Sequence, residues 1–217
     1  MVEPPSDDAI LLAAWRDGDA EAGNQLVTRR MPEIIRFFRN KVATESDVAD
    51  LVNQTFLGCV AAMQGFRGET SFRRFLYQIA QNVLFSYIRK RSKRAREQLD
   101  FGELCVRELA PDSASSILTR RRETQALVDA LREIAVEDQL VLELMYFEGW
   151  TGAQIAESLE LPEGTVRGRI RRGLARLRER VALELGRTGK PVTVTAEDLE
   201  GWAAEVRGRV EDSAGGE

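Results

Sequence analysis

The stretch TGAQIAESLELPEGTVRGRIRRGLARLRER, residues 151–180, places seven arginines in its last fifteen residues, in a chain of formal net charge −4. Val166, Ile170, Leu174, Leu177 and Val181 recur at steps of four, four, three and four. That spacing draws one apolar stripe along a helix and leaves the arginines on its other faces. Upstream, Thr151 and Gln154 have the spacing of a capping box, and Ile155, Ala156 and Leu159 give a short helix an apolar face. ELPEG is a tight connection ending at Thr165, the expected N-cap of the basic helix. A short capped helix, a tight turn and an arginine-studded second helix predict a helix-turn-helix. Ala156 is small enough for the helices to cross, Val166 anchors the second helix, and the side chains at that helix's start are left free for a DNA major groove. Gly168 and Gly173 each cost about 1 kcal/mol relative to alanine; close approach to DNA would account for Gly168, and simple tolerance serves as well. The turn carries Glu160 where this motif often has glycine, so another residue is expected to take up the bend.

Helical periodicity extends over nearly the whole chain, and strands are hard to place. Candidate helices cover about 7–16, 19–30, 32–43, 47–63 and 71–97, then 119–134, 137–147, 151–160 and 165–185. In the fourth, Val48, Val52, Phe56, Cys59, Val60 and Met63 fall on one face, with Asp47, Asp50, Gln54 and Leu57 opposite. GFRGETSF, residues 65–72, reads as a loop in which Ser71 or Thr70 caps the long helix that follows. Phe72, Phe75 and Ile79 have the spacing of a packed stripe. Around residues 101–117 the periodicity fades into a linker. The expected fold is all-α: two small helical domains, 1–98 and 119–185, joined by a flexible linker, 99–118. An acidic extension, 186–217, carries one short helix capped by Thr195. With net charge −3, that tail would shield the basic surface or bind a regulator, or would be a plain extension.

Composition narrows the function. A hydrophobic share of 43% supports real cores, and no run approaches the ~20 apolar residues of a membrane span. The N-terminal stretch has acids where a signal peptide has positive charge, so the cytoplasm is expected. Cys59 and Cys105 sit in no ligand-like spacing and read as structural thiols. Histidine is absent, which removes His-based catalysis and HExxH zinc sites. No metal or cofactor is expected, and no enzyme. Residues 71–96 carry eight basic side chains and no acid, and residues 166–180 carry a net +6, so the remainder is strongly acidic. Two basic blocks in an acidic background fit a polyanion bound at two places, or else two solvated helix faces.

Two helical domains, a linker and a C-terminal helix-turn-helix resemble the extracytoplasmic-function (ECF) sigma factors of bacterial RNA polymerase. YFEGWTGAQIAESLELPEGTVRGRIRRGLARLRE looks like their domain 4, and DVADLVNQTFLGCVAAMQGFRGETSFRRFLYQIAQNVLFSYIRKRSKR looks like their domain 2. The resemblance implies a promoter-specificity subunit that recognises minus-35 and minus-10 elements and assists strand opening. It assigns the minus-35 element to Arg167, Gly168, Arg169, Arg171, Arg172 and Arg176. It assigns the minus-10 strand to the loop Arg67, Gly68, Glu69, Thr70 and Ser71, which would capture a flipped base, and to Asn82, Tyr87, Arg89 and Lys90. Cationic groups for phosphates beside aromatic and amide groups for bases suit an unpaired strand. The linker, with Asp100, Glu103, Glu108 and Asp112, would thread the polymerase cleft. The implied partners are promoter DNA, core RNA polymerase through its beta-prime clamp helices and beta flap, and an anti-sigma factor. The alternative reading is an autonomous helix-turn-helix regulator, which leaves the first basic block unexplained. A nucleic-acid enzyme would need a convergent carboxylate cluster that the sequence does not offer.

One departure stands out. Relatives begin the helix matching 47–63 with a more acidic run that docks on the clamp helices. Here Ala49, Asn53 and Gln54 stand at those positions, and the polymerase contact falls to Asp47, Asp50, Asn53, Gln54 and Leu57. A phosphate placed on Thr55 by a Ser/Thr kinase would supply roughly −1.5 to −2 of charge. Ser46 and Thr44 are the other acceptors, and Ser46 also reads as an N-cap.

Overall fold

The computed structural model describes residues 7–42, 44–66, 71–91, 105–106, 122–186, 195, 197–198 and 200–205. The N-terminal domain is built from α1 (Asp7–Arg16), α2 (Ala20–Arg39), α3 (Glu45–Ala62) and α4 (Phe72–Arg91). The C-terminal domain is built from α5 (Arg122–Leu131), α6 (Val136–Tyr146), α7 (Gly152–Ser158) and α8 (Glu163–Gly186). Among the described residues there is no strand; the one bridge joins Cys105 to Ala135. The expected all-α architecture holds.

Local chemistry sets the helix ends. Asp19 starts α2 by accepting from the amides of Glu21 and Ala22 at 2.9 and 3.2 Å. Residues 19–30 and 32–43 were expected to form separate helices, divided before Pro32, but α2 runs through the proline. Leu26, Ile34, Phe37 and Phe38 continue one buried stripe across it, and burial on that scale outweighs the lost hydrogen bond. Thr44, not Ser46, caps α3, accepting from the Asp47 amide at 3.1 Å.

The seam of α3 also differs from expectation. Val60 is 53% exposed, whereas Leu51 and Thr55 are buried. Twelve residues after Val48, Val60 has rotated about 120° off the stripe; Leu51 and Thr55 stay on it. Phe72 is buried and Phe75 and Ile79 pack against the same core, as the spacing requires. Cys59 is fully buried, and burial pushes its thiol up to about 12, which fits a structural role.

The domains are docked. Val136, Leu140, Val141, Leu144 and Trp150 belong to the same buried cluster as the N-terminal core, and the Trp150 ring stands edge-on to Tyr77, 5.0 Å between centroids. Charges are buried in the seam. Glu148 accepts from Arg36 at 2.9 and 2.8 Å and from Arg73 at 2.9 Å, and the Arg36 and Glu148 side chains are each only 4% exposed. Burial pulls the Arg36 guanidinium down, but the Glu148 hydrogen bonds and charge, with Tyr77 and Glu33, more than reverse this and leave it raised. Beside this pair, Glu143 holds Lys41, Asn40 (3.2 Å) and Gln139 (2.7 Å). The linker was expected to be flexible throughout, yet Cys105 and Val106 within it are buried. Its acids at 100, 103, 108 and 112 lie outside the described residues.

The tail helix, residues 200–205, packs Ala203 and Trp202 onto α5, α6 and α8. Thr195 and Asp198 cap it reciprocally, amide to side chain at 2.9 and 3.1 Å, as expected. The shielding role is not realised in the described part of the tail: Arg167 and Arg171 remain exposed.

Glu148→Ala strands two arginines at the domain seam. Breaking a buried pair costs about 3–5 kcal/mol when the partner stays buried, but here parting the domains returns Arg36 to water. The expected outcome is a larger radius of gyration by small-angle X-ray scattering with unchanged helical circular dichroism.

Candidate nucleic-acid interface

The helix-turn-helix forms as its sequence dictates. Thr151 accepts from the Gln154 amide at 3.2 Å, and the Gln154 side chain accepts from the Thr151 amide at 2.8 Å, completing the capping box. Ala156 is buried at the crossing and Val166 is fully buried beneath α8. Two details of the turn differ from expectation. Glu160 itself takes up the bend, with φ +53°, a left-handed conformation that favours glycine. Its carboxylate accepts from Gln78 of α4 at 2.6 Å, a contact that rewards the strained backbone. α8 begins at Glu163, two residues before Thr165, because the Pro162 carbonyl already accepts from Thr165 and Val166 at 2.9 and 3.2 Å.

The arginines of α8 then separate. Arg172 donates to Asp138 at 2.9 and 2.6 Å, and the Asp138 hydrogen bond is the largest cause of its raised pKa. Arg169 pairs with Glu137, and Arg176 lies 3.8 Å from the same Asp138. Arg167 and Arg171 are exposed, with no carboxylate partner among the described residues. The expected minus-35 set therefore divides into two outward arginines and three that also serve the domain's interior. The signal was present in the sequence, as the paired acids at the start of α6, but acids in a helix's first turn are ordinary dipole partners.

The two glycines have opposite environments. A Cβ on Gly173 would meet Leu142 at 3.1 Å and Asp138 at 3.2 Å, whereas Gly168 faces open space. Gly173 is thus what lets α8 approach α6 closely.

On the N-terminal domain, Asn82, Arg89 and Lys90 are exposed along α4. Tyr87 is half-buried and packs on the core. Ser71 caps α4, accepting from the Arg74 amide at 3.4 Å; Arg67, Gly68, Glu69 and Thr70 lie outside the described residues. The first basic block is divided like the second: Arg73 is spent on Glu33 and Glu148, and Arg74 on Glu157 across the seam.

On α3, Asp50, Asn53, Gln54 and Leu57 share one exposed face, and Leu57 (69% exposed) and Val60 give it apolar surface. Asp47 accepts from the Thr44 hydroxyl at 2.9 Å. Thr55 corrects an expectation: it is fully buried and its hydroxyl donates to the Leu51 carbonyl at 2.8 Å. A kinase has no access to that oxygen while α3 is folded, and a phosphate there would bury two charges in the core. Among the described residues no cluster of three potential metal ligands occurs, and no helix is long and apolar enough to cross a membrane.

Taken as a class, this is a helix-turn-helix protein with a second helical domain bearing its own exposed cations. The comparisons agree. Residues 26–94 match the family model for sigma-70 region 2, and residues 124–177 match sigma-70 region 4; together the two matches cover more than half the chain. The ECF RNA polymerase sigma-E factor of Haemophilus influenzae is 27% identical over 179 residues, 78% of this chain and 92% of that protein. The protein of the same name from Escherichia coli K12 is 24% identical, over 75% and 88% of the two chains. The structure of CnrH in complex with the cytosolic domain of CnrY aligns with TM-score 0.60 and 25% identity, over 85% of this chain and all of that one. The sigma factor RpoE from Bartonella quintana, solved with the anti-sigma factor NepR, shares the fold at TM-score 0.54 and 19% identity, over 75% and 96%. The chain belongs to the sigma-70 family, among the ECF sigma factors, which are non-enzymatic transcription initiation factors.

The glycine environments give a test. Gly168→Ala should raise the stability of the free protein by about 1 kcal/mol through helix propensity. Gly173→Leu should lower it by about 1–3 kcal/mol through overpacking. Thermal melts of the two variants check both signs.

Proposed function

We propose that this sigma factor holds core RNA polymerase through the exposed face of α3 and reads the minus-35 element with Arg167 and Arg171. The observation that carries the reading is the exposure of those two arginines on the first turns of the second helix, where a major groove is entered. Arginine offers a bidentate fork to guanine. Arg169, Arg172 and Arg176 add positive potential and hold α8 in position. Asn82, Tyr87, Arg89 and Lys90 serve the minus-10 strand, and the loop through Ser71 receives its unpaired base. Asp50, Asn53, Gln54 and Leu57, joined by Val60, form the polymerase contact, acidic at one end and apolar at the other, so no phosphate is needed to complete it. The beta flap is the partner assigned to the C-terminal domain, and sequestration by an anti-sigma factor is the regulation this reading includes.

The reading requires the domains to part. Elements named for positions 25 base pairs apart span roughly 85 Å of duplex, whereas a compact chain of this size is about 45 Å across. Glu157 and Glu160 of the helix-turn-helix are held by Arg74 and Gln78 of α4, so the same side chains tie the two reading heads together. An autonomous regulator would not need the region 2 match or the exposed face of α3.

Arg167→Ala and Arg171→Ala should each weaken binding to a cognate minus-35 duplex, by about 1–3 kcal/mol for a residue making a bidentate base contact. Loss that is equal on all sequences would reassign that residue to phosphate. Arg172→Ala should lower the melting temperature as well. Leu57→Asp should reduce affinity for core polymerase without changing duplex binding. Fluorescence anisotropy against duplex and core polymerase separates these outcomes.

A further inference from the structure

The tail helix sits in an apolar groove. Leu127 and Leu131 of α5, Leu142 and Phe147 of the α6 region, and Leu177 and Val181 of α8 are each no more than 3% exposed, gathered in one cluster around Ala203. Ala203 is itself fully buried, and Trp202 packs alongside. The seat is incompletely filled: a small apolar cavity remains beneath Ala203, with Glu143 and Tyr146 at its edge. Polar groups flank the helix. Thr124 donates to Glu205 at 2.8 Å, and burial first, then the charge of Glu200, push the Tyr146 hydroxyl up against the opposing charge of Arg178.

Three observations mark this helix as a ligand of the domain rather than part of its framework. Its start signal is its own, the reciprocal Thr195–Asp198 cap. Eight residues of sequence, 187–194, separate it from α8. The groove residues from Leu127 to Leu177 lie inside the segment that matches sigma-70 region 4, and the tail lies outside it. Most of the groove therefore belongs to the part of the domain that matches the family, and the tail lies beyond that part.

We propose that the tail helix is a tethered plug, competing for this groove with an amphipathic helix of core RNA polymerase. Its competitor would present a large and a small apolar residue side by side with carboxylates at the flanks, the chemistry of Glu200, Trp202, Ala203 and Glu205. This rests on the sigma-factor reading above. Glu143, at the edge of the cavity, is also the residue that holds Lys41 in the domain seam.

The test uses the full chain, a chain ending at residue 192, and the full chain carrying Trp202→Ala. A fluorescein-labelled peptide of residues 193–208 should bind the shortened chain and bind the full chain about tenfold more weakly, because the tethered copy occupies the seat. Core RNA polymerase should bind the shortened chain and the Trp202→Ala chain about tenfold more tightly than the full chain, and excess peptide should reverse the gain for the shortened chain. Trp202→Ala keeps the comparison available if the shortened chain does not fold. Failure of the peptide to bind a shortened chain of native helical content would overturn the proposal. So would polymerase affinity that is unchanged or lower in both altered chains. Polymerase binding to none of the three proteins would overturn the sigma reading and with it the identity of the competitor; the peptide measurements would then still decide whether the tail is displaceable.

Discussion

The carboxylate of Glu148 is the constraint on which the docked arrangement depends. It is nearly inaccessible to water and is shared by Arg36 of α2 and Arg73 of α4, so it ties one residue of the C-terminal domain to two helices of the other. An ion pair this buried is weak evidence for stability, because desolvation consumes most of the Coulomb attraction. What it supplies is geometry: the bidentate contact with Arg36 fixes both position and orientation. Trp150 follows two residues later and places its ring against Tyr77, so the fixed carboxylate also registers an aromatic contact. The docked state is thus specific without having to be strong, which is compatible with the domain separation that the proposed reading requires.

α6 and the turn after it meet the recognition helix, the N-terminal domain and the tail. At its start, Glu137 and Asp138 hold arginines of α8; in its last turn Glu143 holds Lys41; beyond its end Glu148 holds Arg36 and Arg73. The absence of a Cβ at Gly173 brings α8 against the first of these sites, and Ala203 covers the apolar face near the second. A helix in contact with the recognition helix, the N-terminal domain and the tail at once is placed to transmit a change at one to the others.

Most of the fold was legible because helices announce themselves by periodicity and caps. The Thr151 capping box, the Thr195 cap and the apolar stripe of α8 were read directly. What was missed depended on tertiary context. The break expected between the helices 19–30 and 32–43 does not form, because the cost of Pro32 is local and the burial that offsets it is tertiary. Read from sequence, Thr55 is a candidate phosphate acceptor at the edge of the seam, and its full burial depends on which of two neighbouring stripes the core selects. Glu160 looked unsuited to a left-handed turn because its partner, Gln78, is 82 residues away in the chain. The docking of the two domains had no sequence signature, since its charges are spread one or two at a time along helices that each look soluble.

An acidic protein can carry so basic a helix because much of that charge is answered internally. Of the α8 arginines first assigned to DNA, Arg169 and Arg172 have close carboxylate partners on α6, and Arg176 shares one of them at longer range. On α4, Arg73 and Arg74 are answered by Glu148 and Glu157. Among the described residues, Arg167, Arg171 and Arg178 of α8 and Arg89 and Lys90 of α4 stay exposed. Within a negatively charged chain, a long-range attraction from such cations is screened beyond about 10 Å in ordinary salt. Under the proposed reading, specificity comes from short-range geometry: the forked side chains of Arg167 and Arg171 on a helix held in place by the ion pairs of Arg169 and Arg172.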